Sequence, residues 1–204
     1  MPRTDEVSTY QLPKPCTQGE VSLEHCLRQR RSVRDYRTAA LTVGEVGQLL
    51  WAAQGITAKG GFRTAPSAGA LYPLEVYLVV GNVDGLPAGV YRYCPDQHEL
   101  VLSKSGDLRQ ELAEAALGQD CVRDGAVTIM LAAVYARATG KYGQRGLRYV
   151  HIEVGHAAQN VCLQATTLGL GTVTVGAFRD EDVKRLTEIT EAHDALYLIP
   201  VGRQ

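Results

Sequence analysis

Apolar residues fall into two kinds of run along this chain. Leu74–Val80 (LEVYLVV) is an almost unbroken apolar stretch rich in β-formers, and it predicts a buried strand. Residues 126–135 (AVTIMLAAVY) predict a second. Residues 90–93 and 100–102 read as a hairpin joined through Pro95-Asp96, and 172–175 and 196–201 as further strands. Elsewhere the apolar positions recur at helical spacing. A helix is predicted over 22–30, with Val21, Leu23, Cys26 and Leu27 on its apolar side. Thr42-Val43-Gly44-Glu45 fits a capping box, Val46, Leu49, Leu50 and Ala53 follow at helical spacing, and Gly55 closes that helix. Further helices are expected over 107–117, 147–168 and 180–189. Gly155 sits inside the long one, where glycine costs about 1 kcal/mol relative to alanine. Tight helix packing accounts for that glycine; close approach of a ligand is the other reading.

These elements predict an α+β fold, with one mainly antiparallel central sheet flanked by helices. Residues 1–20, with Pro2, Pro13 and Pro15, read as an extended arm, disordered or packed on a partner subunit, and 21–204 as a single domain. Residues 55–65 read as a flexible loop. Residues 140–146 read as a glycine-punctuated loop carrying Lys141, Tyr142 and Arg145.

Charge changes the picture little. The chain has 204 residues and a formal net charge of -1, so bulk charge draws it to neither nucleic acid nor membrane, and anion binding must come from local clusters. Five cysteines, odd in number and without CxxC spacing, point to reduced thiols. With a polar N-terminus and no apolar run near the roughly 20 residues that span a bilayer, the expectation is a cytoplasmic protein.

Two stretches stand out as candidate chemistry. Arg30, Arg31, Ser32 and Arg34 place arginine forks beside a hydroxyl, which suits a phosphate; a solvated basic turn after a helix C-terminus is the other reading. Pro66-Ser67-Ala68-Gly69-Ala70, just before the central strand, is a turn of small residues that lets backbone approach a flat or charged ligand, or simply starts a strand tightly. Gly176 ends a strand and Arg203 follows the last one. Sharper motifs fail. Gly169-Leu170-Gly171 follows a helix, the reverse of a dinucleotide fingerprint; there is no P-loop; His151-Ile152-Glu153 lacks the PCxxC of zinc deaminases; and His151 and His156 are five apart, so no metal is implied. Cys162 belongs to the apolar pattern of the long helix. With no metal box, nucleophile or acid/base pair, the pattern suits a protein whose cofactor brings the reactive atom.

The chain resembles the FMN-dependent nitroreductase superfamily, within it the SagB-type (thiazole/oxazole dehydrogenase-like) branch. The matching stretches are RQRRSVRDY at 28–36, LLWAAQGI at 49–56, RTAPSAGALYPLEVYLV at 63–79, RYVHIEVGHAAQNV at 148–161, LGLGTVTVGAF at 168–178 and PVGR at 200–203. The resemblance implies the α+β nitroreductase fold as an obligate homodimer with FMN at the subunit interface. It places Arg30, Arg31, Ser32 and Arg34 at the flavin phosphate and ribityl chain, and Arg203 at the phosphate. Pro66, Ser67, Ala68, Gly69 and Ala70 would lie beside the isoalloxazine ring, Val175 and Gly176 near flavin N5, and Gln159 on the flavin-facing helix. Lys141 and Tyr142 resemble the Lys-Tyr pair that removes a proton in azoline dehydrogenases. The implied activity is ping-pong two-electron transfer through flavin N5, with NADH or NADPH reducing the flavin and a nitroaromatic or quinone-like acceptor oxidising it. Oxidation of an azoline-like ring to its aromatic form with O2 as acceptor is the alternative, and an FMN-storage protein the non-enzymatic one.

Overall fold

The computed structural model describes residues 8–204. Seven described strands form one sheet: β1 (Thr9–Gln11), β2 (Leu74–Val80), β3 (Gly89–Cys94), β4 (Glu99–Ser105), β5 (Val127–Ala133), β6 (Leu170–Thr172) and β7 (Asp194–Arg203). Their order across the sheet is β1-β4-β3-β2-β5-β7-β6, and every neighbouring pair is antiparallel. The register of the central pair runs from Leu74 opposite Ala133 to Val80 opposite Val127. The helices are α1 (Leu23–Gln29), α2 (Val43–Gln54), α3 (Arg109–Ala115), α4 (Asp120–Asp124), α5 (Tyr135–Tyr142), α6 (Arg145–Thr167) and α7 (Asp180–Thr187).

The unbroken apolar character of β2 and β5 follows from cover on both faces. Successive side chains of a strand point to opposite sides. Val76, Leu78 and Val80, with Ile129 and Leu131, pack with Leu49, Leu50 and Ala53 of α2 and Val150, Val154, Ala157 and Val161 of α6. Tyr77, Val79, Met130 and Ala132 pack instead with Leu112 of α3, Cys121 and Val122 of α4 and Val183 of α7. The sheet is therefore the middle layer of three.

The capping box forms as its spacing predicts: the Thr42 hydroxyl accepts from the Glu45 amide, and the Glu45 carboxylate accepts from the Thr42 amide. Gly55 ends α2 without a left-handed φ; its φ is -65°, and a side chain there would strike Trp51.

Several expectations need correction. Residues 55–65 contain a small hairpin, Ile56–Ala58 against Phe62–Arg63, rather than a flexible loop. Lys141 and Tyr142 lie at the end of α5, not on a loop. Gly143, at φ 55°, ends that helix, and Gly146 of α6 approaches the Ala138 backbone so closely that a Cβ would lie 2.7 Å from it. Gly155 has nothing within 4 Å of where a Cβ would stand, so tight packing does not explain it. Of the expected apolar side of the first helix only Cys26 is buried; Leu23 and Leu27 are 59% and 54% exposed. Within the expected arm, residues 9–11 form an edge strand against β4 of the same sheet, while residues 1–7 lie outside the described residues.

Candidate active site

Two groups of the sequence-identified residues come together, at two places along α6. The first surrounds a small cavity of about 160 Å³. Arg30 and Ser32 line it from the segment after α1, Gly155, Ala158, Gln159 and Cys162 from α6, and Thr172, Thr174 and Tyr197 from the sheet edge. A parallel bridge between Ser32 and Thr172, with the Val33 amide donating to the Thr172 carbonyl at 3.0 Å, fixes the arginine segment against β6. Burial pushes the Cys162 thiol up while the charge of Arg30 pulls it down, so Cys162 is a buried thiol on the cavity wall rather than a nucleophile. Val175 is buried and exchanges hydrogen bonds with Leu198 at 2.8 and 3.0 Å. Gly176 is exposed over the ring of Tyr197, itself a lining residue.

The remaining arginines point elsewhere. Arg31 turns back, donating to the Arg28 and Arg30 carbonyls at 2.9 and 2.7 Å. Arg34 is exposed and does not line the cavity. Arg203 forks onto Glu45, donating at 2.6 and 2.8 Å to its two carboxylate oxygens, and its Nε reaches the Ala40 carbonyl. Burial raises the Glu45 carboxyl, but the Thr42 amide and the Arg203 fork outweigh it and hold the group below its ordinary value. The guanidinium that the family resemblance assigns to a phosphate is engaged here with Glu45 at the start of α2.

The second group lies at the 66–70 turn. Its backbone carries positive φ at Gly69 (63°), Ala70 (54°) and Tyr72 (44°). The Ser67 hydroxyl accepts the Tyr72 amide at 2.9 Å and closes the turn. Gly69 faces the tips of Lys141 and Tyr142: a Cβ there would stand 2.9 Å from Nζ and 2.6 Å from Oη. The Tyr142 ring is held edge-on against Tyr149, and Arg137, on the same helix, donates to the Tyr72 carbonyl at 2.9 Å. The small-residue turn and the Lys-Tyr pair, distant in sequence, thus form one surface.

Sequence reasoning missed the residues beneath that turn. Glu153 of α6 is 2% exposed, and its Oε1 has no hydrogen-bond partner. Burial pushes its carboxyl up to about 7, against the pull of the Ser67 hydroxyl and the Arg63 guanidinium. Arg63 stacks on the Tyr72 ring at 4.6 Å and donates to buried Gln54 at 2.9 Å. A signal existed: Val150, Val154 and Ala157 define the buried stripe of α6, and Glu153, three residues after Val150, falls on it.

A broad groove of about 990 Å³ opens nearby, between residues 13–23 and the α2 and α6 helices, with Trp51, Glu45 and Asn160 among its lining.

The donor set of the first cavity fits a phosphate-bearing cofactor. Arg30 and Ser32 supply charged and neutral donors, Gln159 an amide, and Gly155 leaves open a space that any side chain would enter. At about 160 Å³ the cavity is below the 300–1,000 Å³ usual for a small-molecule site. It has room for a phosphate end and not for a whole flavin, whose remainder needs the open face outside it.

The chain is thus an antiparallel three-layer α+β fold, with a phosphate-sized cavity and a Lys-Tyr pair set against a glycine turn. The nitroreductase family profile matches residues 27–203, and the chain belongs to the nitroreductase family of oxidoreductases. It is 49% identical over 185 residues to MJ1384 of Methanocaldococcus jannaschii, which carries a provisional nitroreductase name; the match covers 91% of this chain and 92% of that one. A structure from Anabaena variabilis, also provisionally named a nitroreductase, superposes with a TM-score of 0.86 at 31% identity, covering 97% of this chain and 42% of that chain. The Escherichia coli microcin synthetase McbBCD complex with truncated pro-MccB17 bound holds a similar chain, with a TM-score of 0.76 at 25% identity, covering 94% of this chain and 76% of that one. The SagB-type resemblance agrees with that likeness.

Proposed function

We propose that this chain is an FMN-dependent oxidoreductase that acts as a homodimer. One observation carries the reading: Arg30, Ser32 and Gln159 converge on a cavity whose wall opens at Gly155. Arg30 and Ser32 would hold the phosphate, Gln159 would orient the ribityl chain, and the 66–70 turn would offer backbone to the ring, across the dimer interface. Bound there, FMN would supply two-electron hydride transfer at N5, accepting from NADH or NADPH and giving to a nitroaromatic or quinone-like acceptor. The homodimer is supported by exposed apolar Leu23, Leu27, Phe62 and Ile152, which a second subunit would cover, and by a cavity too small to enclose the cofactor alone.

A second reading is favoured by the contact at Gly69. Lys141 Nζ and Tyr142 Oη are close enough together to take a proton from a substrate lying over the turn. That suits dehydrogenation of an azoline-like ring to its aromatic form, in which the ring loses a hydride and a proton and O2 takes the electrons.

An absorption spectrum of the purified protein, before and after anaerobic NADH or NADPH, tests both. Flavin bands that bleach with nicotinamide support the reductase. Bands that bleach with a ring substrate but not with nicotinamide support the dehydrogenase. A protein that stays colourless after FMN is added overturns both.

A further inference from the structure

We propose that a cavity at the far end of β2 is a second anion site, one that takes a phosphate-bearing small molecule. The 66–70 turn leads into β2, and this cavity lies where the chain leaves that strand, at Asn82. Its volume is about 480 Å³, within the roughly 300–1,000 Å³ usual for a small-molecule site. It shares no lining residue with the cavity of Arg30, Ser32 and Gln159. Its walls come from four places: the segment between α1 and α2, the turn after β2, the start of α3 and the end of α4. Backbone bonds fix two of them. The Arg37 amide donates to the Arg203 carbonyl at 3.0 Å, and the Gly81 and Asn82 amides donate to the Ala126 carbonyl at 3.0 and 2.9 Å.

The lining is rich in donors and poor in acceptors. Arg37, Thr38 and Asn82 line it, and among the described residues their side chains make no hydrogen bond or ion pair. Arg109 lines it too, donating through Nε and Nη2 to Asp107 at 2.9 and 2.7 Å and through Nη1 to the Gly125 carbonyl at 3.1 Å. A side chain at Gly81 would strike Arg109, so the glycine leaves the guanidinium room against the backbone. Arg123 forks onto both oxygens of Asp124 and pairs with Asp120. A guanidinium has five N–H donors, so both arginines keep hydrogens that these bonds do not use. Asp107 and Asp120 are not in the lining; they hold the guanidiniums from outside it. Asp124 is the one carboxylate in the lining, and Arg123 already occupies it. Counted with all three aspartates the charges balance, so the site would select by converging donors at short range rather than by a long-range field. A tetrahedral phosphate turns its oxygens toward several walls at once, which a planar carboxylate does not, and arginine forks suit it.

Calorimetric titration of the full chain with pyrophosphate, with and without saturating FMN, tests the site. Binding is expected with a Kd of about 1 mM or below, alike in both forms. Arg37 is exposed and its backbone bond survives truncation, so Arg37→Ala is expected to keep the wild-type Tm and to bind pyrophosphate about tenfold more weakly, the loss of one hydrogen bond to a charged group. Malonate, which carries two carboxylates, is expected to bind at least about tenfold more weakly than pyrophosphate. No binding of pyrophosphate, or an unchanged affinity in Arg37→Ala, overturns the inference. Malonate binding as tightly as pyrophosphate overturns the phosphate class. Pyrophosphate that binds only the flavin-free chain lies in the flavin cavity, and that result overturns the inference as well. A chain that takes no FMN overturns the proposed function instead, and the comparison with Arg37→Ala still decides this one.

Discussion

The Cα of Gly69 faces the phenol of Tyr142 so closely that a Cβ would lie 2.6 Å from its oxygen. No side chain fits there unless the Lys-Tyr pair moves. Gly69 also has a φ of 63°, where an L-residue costs about 1–2 kcal/mol. Gly69→Ala is therefore expected to lose about that much stability, and to lower Tm by about 2–8 °C. It is also expected to displace the ends of Lys141 and Tyr142, which a Cβ at Gly69 would meet. Proton-transfer turnover should fall by about a hundredfold, the lower end of the range general acid–base catalysis supplies, while bound flavin stays constant. Unchanged turnover would remove the pair from the chemistry.

Arg30 is the arginine of its cluster that lines the cavity, since Arg31 is turned onto backbone carbonyls and Arg34 lies outside. A hydrogen bond to a charged group is worth about 1.5–3 kcal/mol, so Arg30→Ala should weaken FMN binding about ten- to a hundredfold. Riboflavin, which lacks the phosphate, should bind both proteins alike. Equal losses for the two flavins would place the phosphate elsewhere.

Arg203, which the family resemblance assigns to the phosphate, is paired in the structure with Glu45. Its fork is closed on Glu45, which also completes the capping box of α2. The Glu45 carboxyl is held below its usual value, so its contribution is present above about pH 4.5 and is lost as pH falls through the folded-state value. Arg203→Ala is expected to cost about 1–3 kcal/mol at pH 7. The wild-type and variant unfolding curves should draw together as the solution is acidified below pH 4.5. A variant of unchanged stability that binds FMN more weakly would return Arg203 to the phosphate.

How legible the site was in the sequence depended on what fixes each piece. The strand Leu74–Val80 reads to the residue because it is buried on both faces and its apolar run has no competitor. The capping box reads because its two bonds are local. Helix α5 does not read. It begins two residues after a strand, contains Gly140, and buries only Ala138, which is held by contact with Gly146 across a tight corner. That contact is tertiary and leaves no period in the sequence. Arg30, Ser32 and Gln159 were identifiable as polar groups in an ordered resemblance, but that Arg31 and Arg203 point elsewhere is a matter of side-chain partners. Glu153 was hidden by its type: a carboxylate on an apolar stripe reads as an error in the period until the turn above it is seen.

Glu153 also makes a prediction about stability. Its carboxyl is raised from 4.5 to about 7 by burial, so the folded state holds this proton more tightly than the unfolded chain. Stability from this group is complete below about pH 4.5 and is lost as pH rises through about 7. The shift corresponds to about 3 kcal/mol at full separation of the two forms. Glutamine has the same shape and no proton to lose. Glu153→Gln is therefore expected to unfold at a higher denaturant concentration than wild type at pH 8, and the advantage should shrink steadily as pH falls to 5. Urea unfolding of both proteins at pH 5, 6.5 and 8 measures it. If the difference between them does not change with pH, Glu153 is already ionised in the folded chain, and the buried carboxyl must be compensated by Arg63 more fully than their arrangement indicates.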